Sequence, residues 1–519
     1  MEWNGTSDCP RSSPCYSSIG TFYIKIRNKN NLPIRGAMEC NPVQIQVEFS
    51  KINLVTQKVW YKVSWFTYLY SLAAGLLVTS FGLSIGWSSP VLSKLHSNDT
   101  NINPLGAQIT TIETSLVVSL PLIGTAASYL VWAKIADTLG RAIALRLVAT
   151  ILVFSLTITA FTTNIYLLCI TLTITGASAS GALLCVSIYN SEIAEENDRG
   201  KLGCLMAMQV PIGLLGAFIF GSFCSVRVFT LICAIPPILH LIFTCFLPES
   251  PVYLVSKNRI PEAIISLQNL RRTKTDEDIE EDVKKIKDVI RNTATARKRN
   301  IFDIFRNRAT KRGFFLSLEV FLVEQLSGIS IILAYISVIF NEAGTGLSGD
   351  TVGIIVGLVK MVTFLVATNF IDKYGRRLLL LISSICCMFP MLFLGIYFYL
   401  KSINSSLVEN IHWVAVLCVI LYVIMYAIGL GNVPMAFVGE IFPDDLRAQG
   451  IACTLIFDEL LVSLITFSFP LLSESIGTHW CFFICSISSF LGFICLYLTI
   501  PETKGKTFSE IQKILQGCN

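Results

Sequence analysis

The chain has 519 residues, 53% of them hydrophobic and 14% charged, with a net charge of +5. A soluble domain carries about 25% charged residues, so soluble domains of this composition would lack much of their surface charge. A mean hydropathy of +0.64 points instead to a lipid bilayer as partner, and the weak basic balance argues against nucleic acid.

Residues 1–62 form a polar, mixed N-terminal arm with no apolar leader. A bilayer span needs about 20 mostly apolar residues. Six stretches qualify in the first half, near 65–89, 112–133, 144–163, 166–189, 202–222 and 227–247. A charged island follows at 249–312, entered through Pro248-Glu249-Ser250-Pro251 and holding Arg271-Arg272-Thr273-Lys274-Thr275-Asp276-Glu277-Asp278. Pro261 can start a helix at Glu262, and Ile279, Val283, Ile286 and Ile290 form one stripe among i,i+4 charges. The island therefore reads as a short amphipathic bundle under the membrane, with a disordered linker as the alternative. Six more spans lie near 313–340, 350–371, 378–400, 412–433, 451–472 and 480–499, and 501–519 is a short tail. The expected fold is all-α and polytopic, with bundles at 63–248 and 313–500.

Lys and Arg fall on one side of this layout: Lys51, Lys58, Lys62, Lys134, Arg141, Arg199, Lys201, the island, Lys373, Arg376, Arg377, Arg447, Lys504, Lys506 and Lys513. The opposite loops offer little beyond Lys94, Arg227 and Lys401. The positive-inside rule makes both termini and the island cytoplasmic. Sequons at Asn98 and Asn404 then fall in outside loops, where glycans attach. A third, at Asn4, lies on the cytoplasmic arm. The 17 cysteines sit mostly inside apolar runs and act as small hydrophobes; no metal box appears.

Three patterns occur twice. Asp137, Gly140 and Arg141 after the second span match Asp372, Gly375, Arg376 and Arg377 after the eighth, 235 residues on. Glu192 with Arg199 after the fourth span matches Glu440 with Arg447 after the tenth, 248 residues on. Pro248-Glu249 closing the sixth matches Pro501-Glu502 closing the twelfth, 253 residues on. Matches in one register imply duplicated six-helix halves. Their chemistry suggests a cytoplasmic gate: glycine permits a tight turn, arginine grips carboxylates with a planar fork, and acids at helix ends supply partners across the halves.

With Gly86-Trp87-Ser88-Ser89-Pro90, Gln325-Leu326-Ser327-Gly328-Ile329, Gly439-Glu440-Ile441-Phe442-Pro443 and Pro501-Glu502-Thr503-Lys504-Gly505, these motifs cover nearly all of the chain beyond residue 65. The chain resembles the sugar-porter family of the major facilitator superfamily, and within it the insect facilitated trehalose transporters and the glucose transporters. The resemblance implies a fold of two six-helix bundles and a central cavity reached by alternating access. It further implies a monomeric plasma-membrane carrier of a small polar solute, with no cofactor.

The resemblance places a sugar site on spans 5, 7, 8, 10 and 11, where this chain departs from the family pattern. Glu324, Gln325 and Ser330 stand where span 7 usually carries two glutamines and an asparagine. Lys360 replaces an amide on span 8. Gly431-Asn432-Val433-Pro434-Met435 lacks the usual tryptophan of span 10, and Asp458-Glu459 stands for Asn-Trp on span 11. Charges within a span are expensive, about 2.5–3.5 kcal/mol each. Glu324 and Lys360 are therefore expected to neutralise one another across the cavity, with Asp458 joining them. Glu459 either joins too or lies hydrated toward the cytoplasm. Tyr335 and Tyr426 are candidate aromatic walls, and Asn432 completes the site.

Span 1 carries no acid, which favours facilitated diffusion over proton coupling. Glu324 and Asp458 keep a proton-coupled symporter as the alternative, and the altered pocket also admits a non-transporting sensor. No nucleophile–base set or phosphate loop points to an enzyme.

Overall fold

The computed structural model describes residues 65–195, 198–272, 274–295, 303–443 and 446–516, excluding the side chains of 292–295, 368–372, 508 and 509. The N-terminal arm with its Asn4 sequon and its lysines, the basic run 297–299 and the Asp372 side chain lie outside this description.

Twelve helices are long and apolar enough to cross a membrane. Spans 1 to 6 are Trp65–Leu95, Thr111–Leu139, Arg141–Phe161, Ile165–Ile193, Arg199–Phe223 and Val226–Phe246. Spans 7 to 12 are Arg308–Ala343, Gly349–Tyr374, Arg376–Ser402, Leu407–Ile441, Arg447–Ile476 and Thr478–Thr499. Most run several residues past the ends expected from hydropathy, because polar caps extend a helix beyond its apolar stretch. Span 2 opens with a capping box in which Thr110 and Glu113 satisfy each other's backbone N–H. Span 1 continues through Pro90 to Leu95, its proline ring seated on Gly221 of span 5.

Two spans are broken. Span 7 turns at Ser327-Gly328, where Gly328 takes a left-handed φ of +101°, and resumes at Ile329. Hydropathy alone predicts one straight helix here, since the apolar pattern on either side hides the turn. Span 10 breaks between Ile428 and Val433, next to Gly431 and Pro434.

Glycine lets helices approach closely where backbones cross. A Cβ on Gly82 would lie 2.2 Å from Val210 O, and one on Gly213 2.2 Å from Thr79 O, so spans 1 and 5 touch backbone to backbone. Gly216, three residues further along span 5, meets only ordinary contacts beginning at 3.6 Å. Spans 2 and 4 cross in the same way at Gly176, where a Cβ would lie 2.0 Å from Pro121 O.

The halves meet where span 1 packs on span 7, span 2 on span 11 and span 5 on span 8. Ser89 donates to Ser337 Oγ at 2.9 Å, Asn341 donates to Ser93 Oγ at 2.9 Å, and Ser463 donates to Ser119 O at 3.0 Å. The first two pairs lie toward the end of the molecule farthest from the island.

The island folds into helices at Pro251–Ser256, Ile260–Leu270, Asp276–Thr295 and Asp303–Arg306. Ile279 and Val283 bury against Leu254, Ala263 and Leu267, with Ile286 and Ile290 at the edge. Charge ties this bundle to span 4: Arg271 and Lys274 pair with Asp282, and they reach Glu195 at 3.4 and 3.2 Å. The tail holds one further helix, Phe508–Gln516, which the sequence reading left unassigned. Its Ile511 and Leu515 are buried, and Gln512 donates to Ile441 O at 3.2 Å.

Candidate solute site and the linker-side clusters

A cavity of about 280 Å³ lies between the halves, walled by spans 1, 2 and 4 on one side and 7, 10 and 11 on the other. Four of the expected residues line it: Gln325, Ser330, Tyr426 and Asp458. Three of them form one chain of bonds, in which Ser330 donates to Gln325 Oε1 at 2.5 Å and Gln325 Nε2 donates to Asp458 Oδ1 at 2.9 Å. The break after Gln325 makes this possible, because Ser330 folds back onto the amide from the next helical segment.

Four others do not line the cavity. Glu324 is buried behind Tyr426, whose hydroxyl donates to Glu324 Oε1 at 2.7 Å. The Lys360 ammonium sits 5.8 Å from the Tyr426 ring centroid. Glu324 and Lys360 make no direct ion pair: Tyr426 stands between, holding the acid by its hydroxyl and the base by its ring face. Tyr335 is buried and donates to Thr466 O at 2.8 Å, packing its ring on Phe469. Asn432 donates to Ala427 O at 2.7 Å, bridging the break in span 10.

Sequence reasoning overlooked most of the wall from the first half, including Ser84, Trp87 and Ser88 of span 1, Thr125 of span 2 and Thr175 of span 4. Serines and threonines one turn apart along spans 1, 2 and 4 were the available signal, but small hydroxyl residues are common at packed helix crossings too. Span 5 does not contribute to the wall; its Gln209 accepts from Thr79 at 2.9 Å inside the first bundle. Glu459 does line the cavity, on the turn beside Asp458.

The duplicated motifs build two matching clusters at the linker end. In the first, Glu249 accepts from the N–H groups of Arg141 (2.8 Å) and Ala142 (3.1 Å), capping span 3. Arg141 grips Glu192 at 2.8–3.2 Å and reaches Asp137 at 3.2 Å. In the second, Glu502 accepts from the N–H groups of Arg376 (3.0 Å) and Arg377 (3.2 Å), and Arg376 pairs with Glu440 at 2.9 Å. Arg377 donates to Tyr497 O at 2.8 Å. Each turn uses a glycine with positive φ, +109° at Gly140 and +90° at Gly375, lying directly against the capping carboxylate.

Every pair just described stays within its own half, whereas the sequence led one to expect partners across the halves. The short loops place each arginine one turn from its own half's acids. Arg199 is exposed at the start of span 5, beside a second cavity under the linker, and Arg447 is half-buried at the start of span 11.

Asn98 and Asn404 are exposed in loops at the far end, between spans 1 and 2 and between spans 9 and 10. Among the described residues no group of His, Cys, Asp and Glu could hold a metal ion.

Comparison with known proteins agrees with this architecture. A family model described as "Sugar (and other) transporter" matches residues 57–515. The facilitated trehalose transporter Tret1 of Polypedilum vanderplanki is 28% identical over 456 residues, covering 87% of this chain and 89% of that protein. Tret1 of Anopheles gambiae is also 28% identical, over 458 residues, but the chain spans only 56% of its length. Among solved structures, the inward open conformation of the xylose transporter XylE from E. coli superposes with a TM-score of 0.70 at 21% identity, covering 86% of this chain and 99% of that one. At that identity the likeness establishes the fold alone.

Proposed function

The chain belongs to the family of sugar (and other) transporters, and from that premise we propose that it is a facilitative sugar carrier, a uniporter for trehalose or a hexose that works by alternating access. One observation carries the reading: a cavity lined by polar groups lies between two repeated halves whose contacts include Ser89–Ser337 and Ser93–Asn341 at the far end. Relaxing that end while the linker end closes would pass a solute from one face to the other without covalent change.

On this reading the linker and both termini are cytoplasmic, the protein acts as a monomer in the plasma membrane, and Asn98 and Asn404 carry glycans. The two linker-end clusters are the cytoplasmic gate. Asp137, Arg141, Glu192 and Glu249 stiffen one rim, with Arg199 beside it; Arg376, Arg377, Glu440 and Glu502 stiffen the other, and the repeat assigns Asp372 and Arg447 to it. Each half then moves as a rigid body whose rim approaches the other in the occluded state. Uniport is favoured because span 1, Trp65–Leu95, carries no carboxylate.

A second reading, proton-coupled symport, is favoured by Asp458 and Glu459, which line the cavity and can exchange protons with it. Counterflow of labelled trehalose and glucose in proteoliposomes tests the carrier reading. Exchange without acidification of the lumen supports uniport, stoichiometric acidification supports symport, and no exchange of either sugar sinks both.

A further inference from the structure

The cavity wall is poorly matched to a solute that offers only neutral hydroxyls. Most of the donors it presents are already engaged within the protein. Ser84 donates to Ser80 O at 2.9 Å, Thr125 to Gly176 O at 3.1 Å and Thr466 to Val462 O at 2.8 Å. The Trp87 indole donates to Thr230 at 3.0 Å, Thr175 to Ser155 at 3.0 Å, and Tyr426 to Glu324. Ser330 is held by Gln325 and Ser88 by Ala334. Beyond these, the second amide hydrogen of Gln325 and the weakly donating Cys233 thiol remain.

Acceptors, by contrast, are in surplus. Asp458 takes one bond, from Gln325, and Glu459 takes no hydrogen bond or ion pair from any described residue. These two carboxylates are the charged groups lining the cavity. Lys360, which stands on span 8, is turned against the Tyr426 ring rather than into the cavity. Carboxylates facing a largely apolar space without a counter-charge are costly, and a cationic donor relieves that cost more fully than a neutral one. The wall also brings Phe81 and Trp87, whose ring faces favour a cation.

We propose that this cavity selects solutes bearing a protonated amine, with the ammonium held between Asp458 and Glu459, over neutral sugars of the same size. The proposal rests on the carrier reading of the cavity and names the substrate class within it: an amino sugar or another small organic cation of comparable volume. Glu459 is the specificity-determining residue, and Asp458 shares the charge while keeping Gln325 in place.

Glucosamine and glucose form the test pair, since they differ by an ammonium in place of one hydroxyl. Binding is read as ligand-dependent thermal stabilisation of the purified protein, at a pH where the amine is protonated, and exchange is read beside it as counterflow in proteoliposomes. Glucosamine is expected to half-saturate the stabilisation at about tenfold lower concentration than glucose, and Glu459→Gln is expected to shrink that ratio toward one. Equal half-saturation by the two sugars in the unaltered protein, or stabilisation by neither, overturns the proposal whatever the variant does. A preference that persists undiminished in Glu459→Gln overturns the assignment to that residue. Stabilisation by glucosamine without exchange of either sugar upholds the amine site and defeats the carrier reading, so the two failures are distinguishable.

Discussion

Tyr426 donates its hydroxyl to the Glu324 carboxylate at 2.7 Å, and together with the Ser327–Tyr422 hydroxyl pair at 2.8 Å this bond joins spans 7 and 10 beside their breaks. A buried carboxylate that loses a donor keeps its desolvation penalty without compensation. Tyr426→Phe is therefore expected to destabilise the protein by about 2 kcal/mol. Adding Glu324→Gln should restore part of the loss, because a neutral amide tolerates the same site better. Thermal unfolding in detergent of the two single variants and the double checks this; additive losses would mean that the bond carries little.

The linker-end clusters pair within halves, and a double-mutant cycle separates that from pairing across them. Arg141→Gln and Glu192→Gln should be non-additive by about 1 kcal/mol, whereas Arg141→Gln and Glu440→Gln should add within about 0.5 kcal/mol. Coupling between Arg141 and Glu440 of the size expected for Arg141 and Glu192 would restore the cross-half lock.

Gly140 and Gly375 hold positive φ and lie against Glu249 and Glu502, with a Cβ only 2.5 and 2.6 Å from the carboxylate oxygen. Replacing either with alanine is expected to destabilise by about 1–2 kcal/mol from backbone strain alone, before the displaced cap is counted. Gly439→Ala is the control, since a Cβ there has no neighbour within 4 Å. Its effect should stay within about 0.5 kcal/mol.

Ser89 and Ser337 touch across the halves at the far end. Cysteines at both positions, oxidised to a disulfide, should hold that end shut and stop solute exchange, and a reductant should restore it. Exchange that continues after quantitative cross-linking would mean that the halves need not separate there.

Asp282, on the linker helix Asp276–Thr295, pairs with both Arg271 and Lys274. Burial alone would raise its carboxyl, but the bonds and charges of Lys274 and Arg271 outweigh that and hold it below the ordinary carboxylate range. A depressed folded-state pKa contributes stability that is present above the unfolded value of about 3.9 and is lost as pH falls through the folded one. Protection of the linker from limited proteolysis should thus be flat at neutral pH and weaken only below about pH 4. Asp282→Asn should remove that acid-dependent step and lower protection at neutral pH.

Hydropathy and repetition along the chain determined the number of spans, the duplicated halves, the polar island and the family, because a bilayer enforces long apolar helices and duplication leaves Asp137–Arg141 and Asp372–Arg377 in register. The apolar stripe through Ile279 and Val283 likewise spoke for a helix in the island. What the chain could not specify was direction around each helix axis. Glu324 and Gln325 are neighbours in sequence, yet one is buried behind Tyr426 and the other faces the cavity, since adjacent residues point about 100° apart and only packing fixes which points inward. The same ambiguity hid Ser84, Thr125 and Thr175, and it left open that Arg141 grips Glu192 of its own half. Tertiary structure decided these matters, because the turn at Gly328 and the backbone crossings at Gly82 and Gly213 set the rotation of each helix.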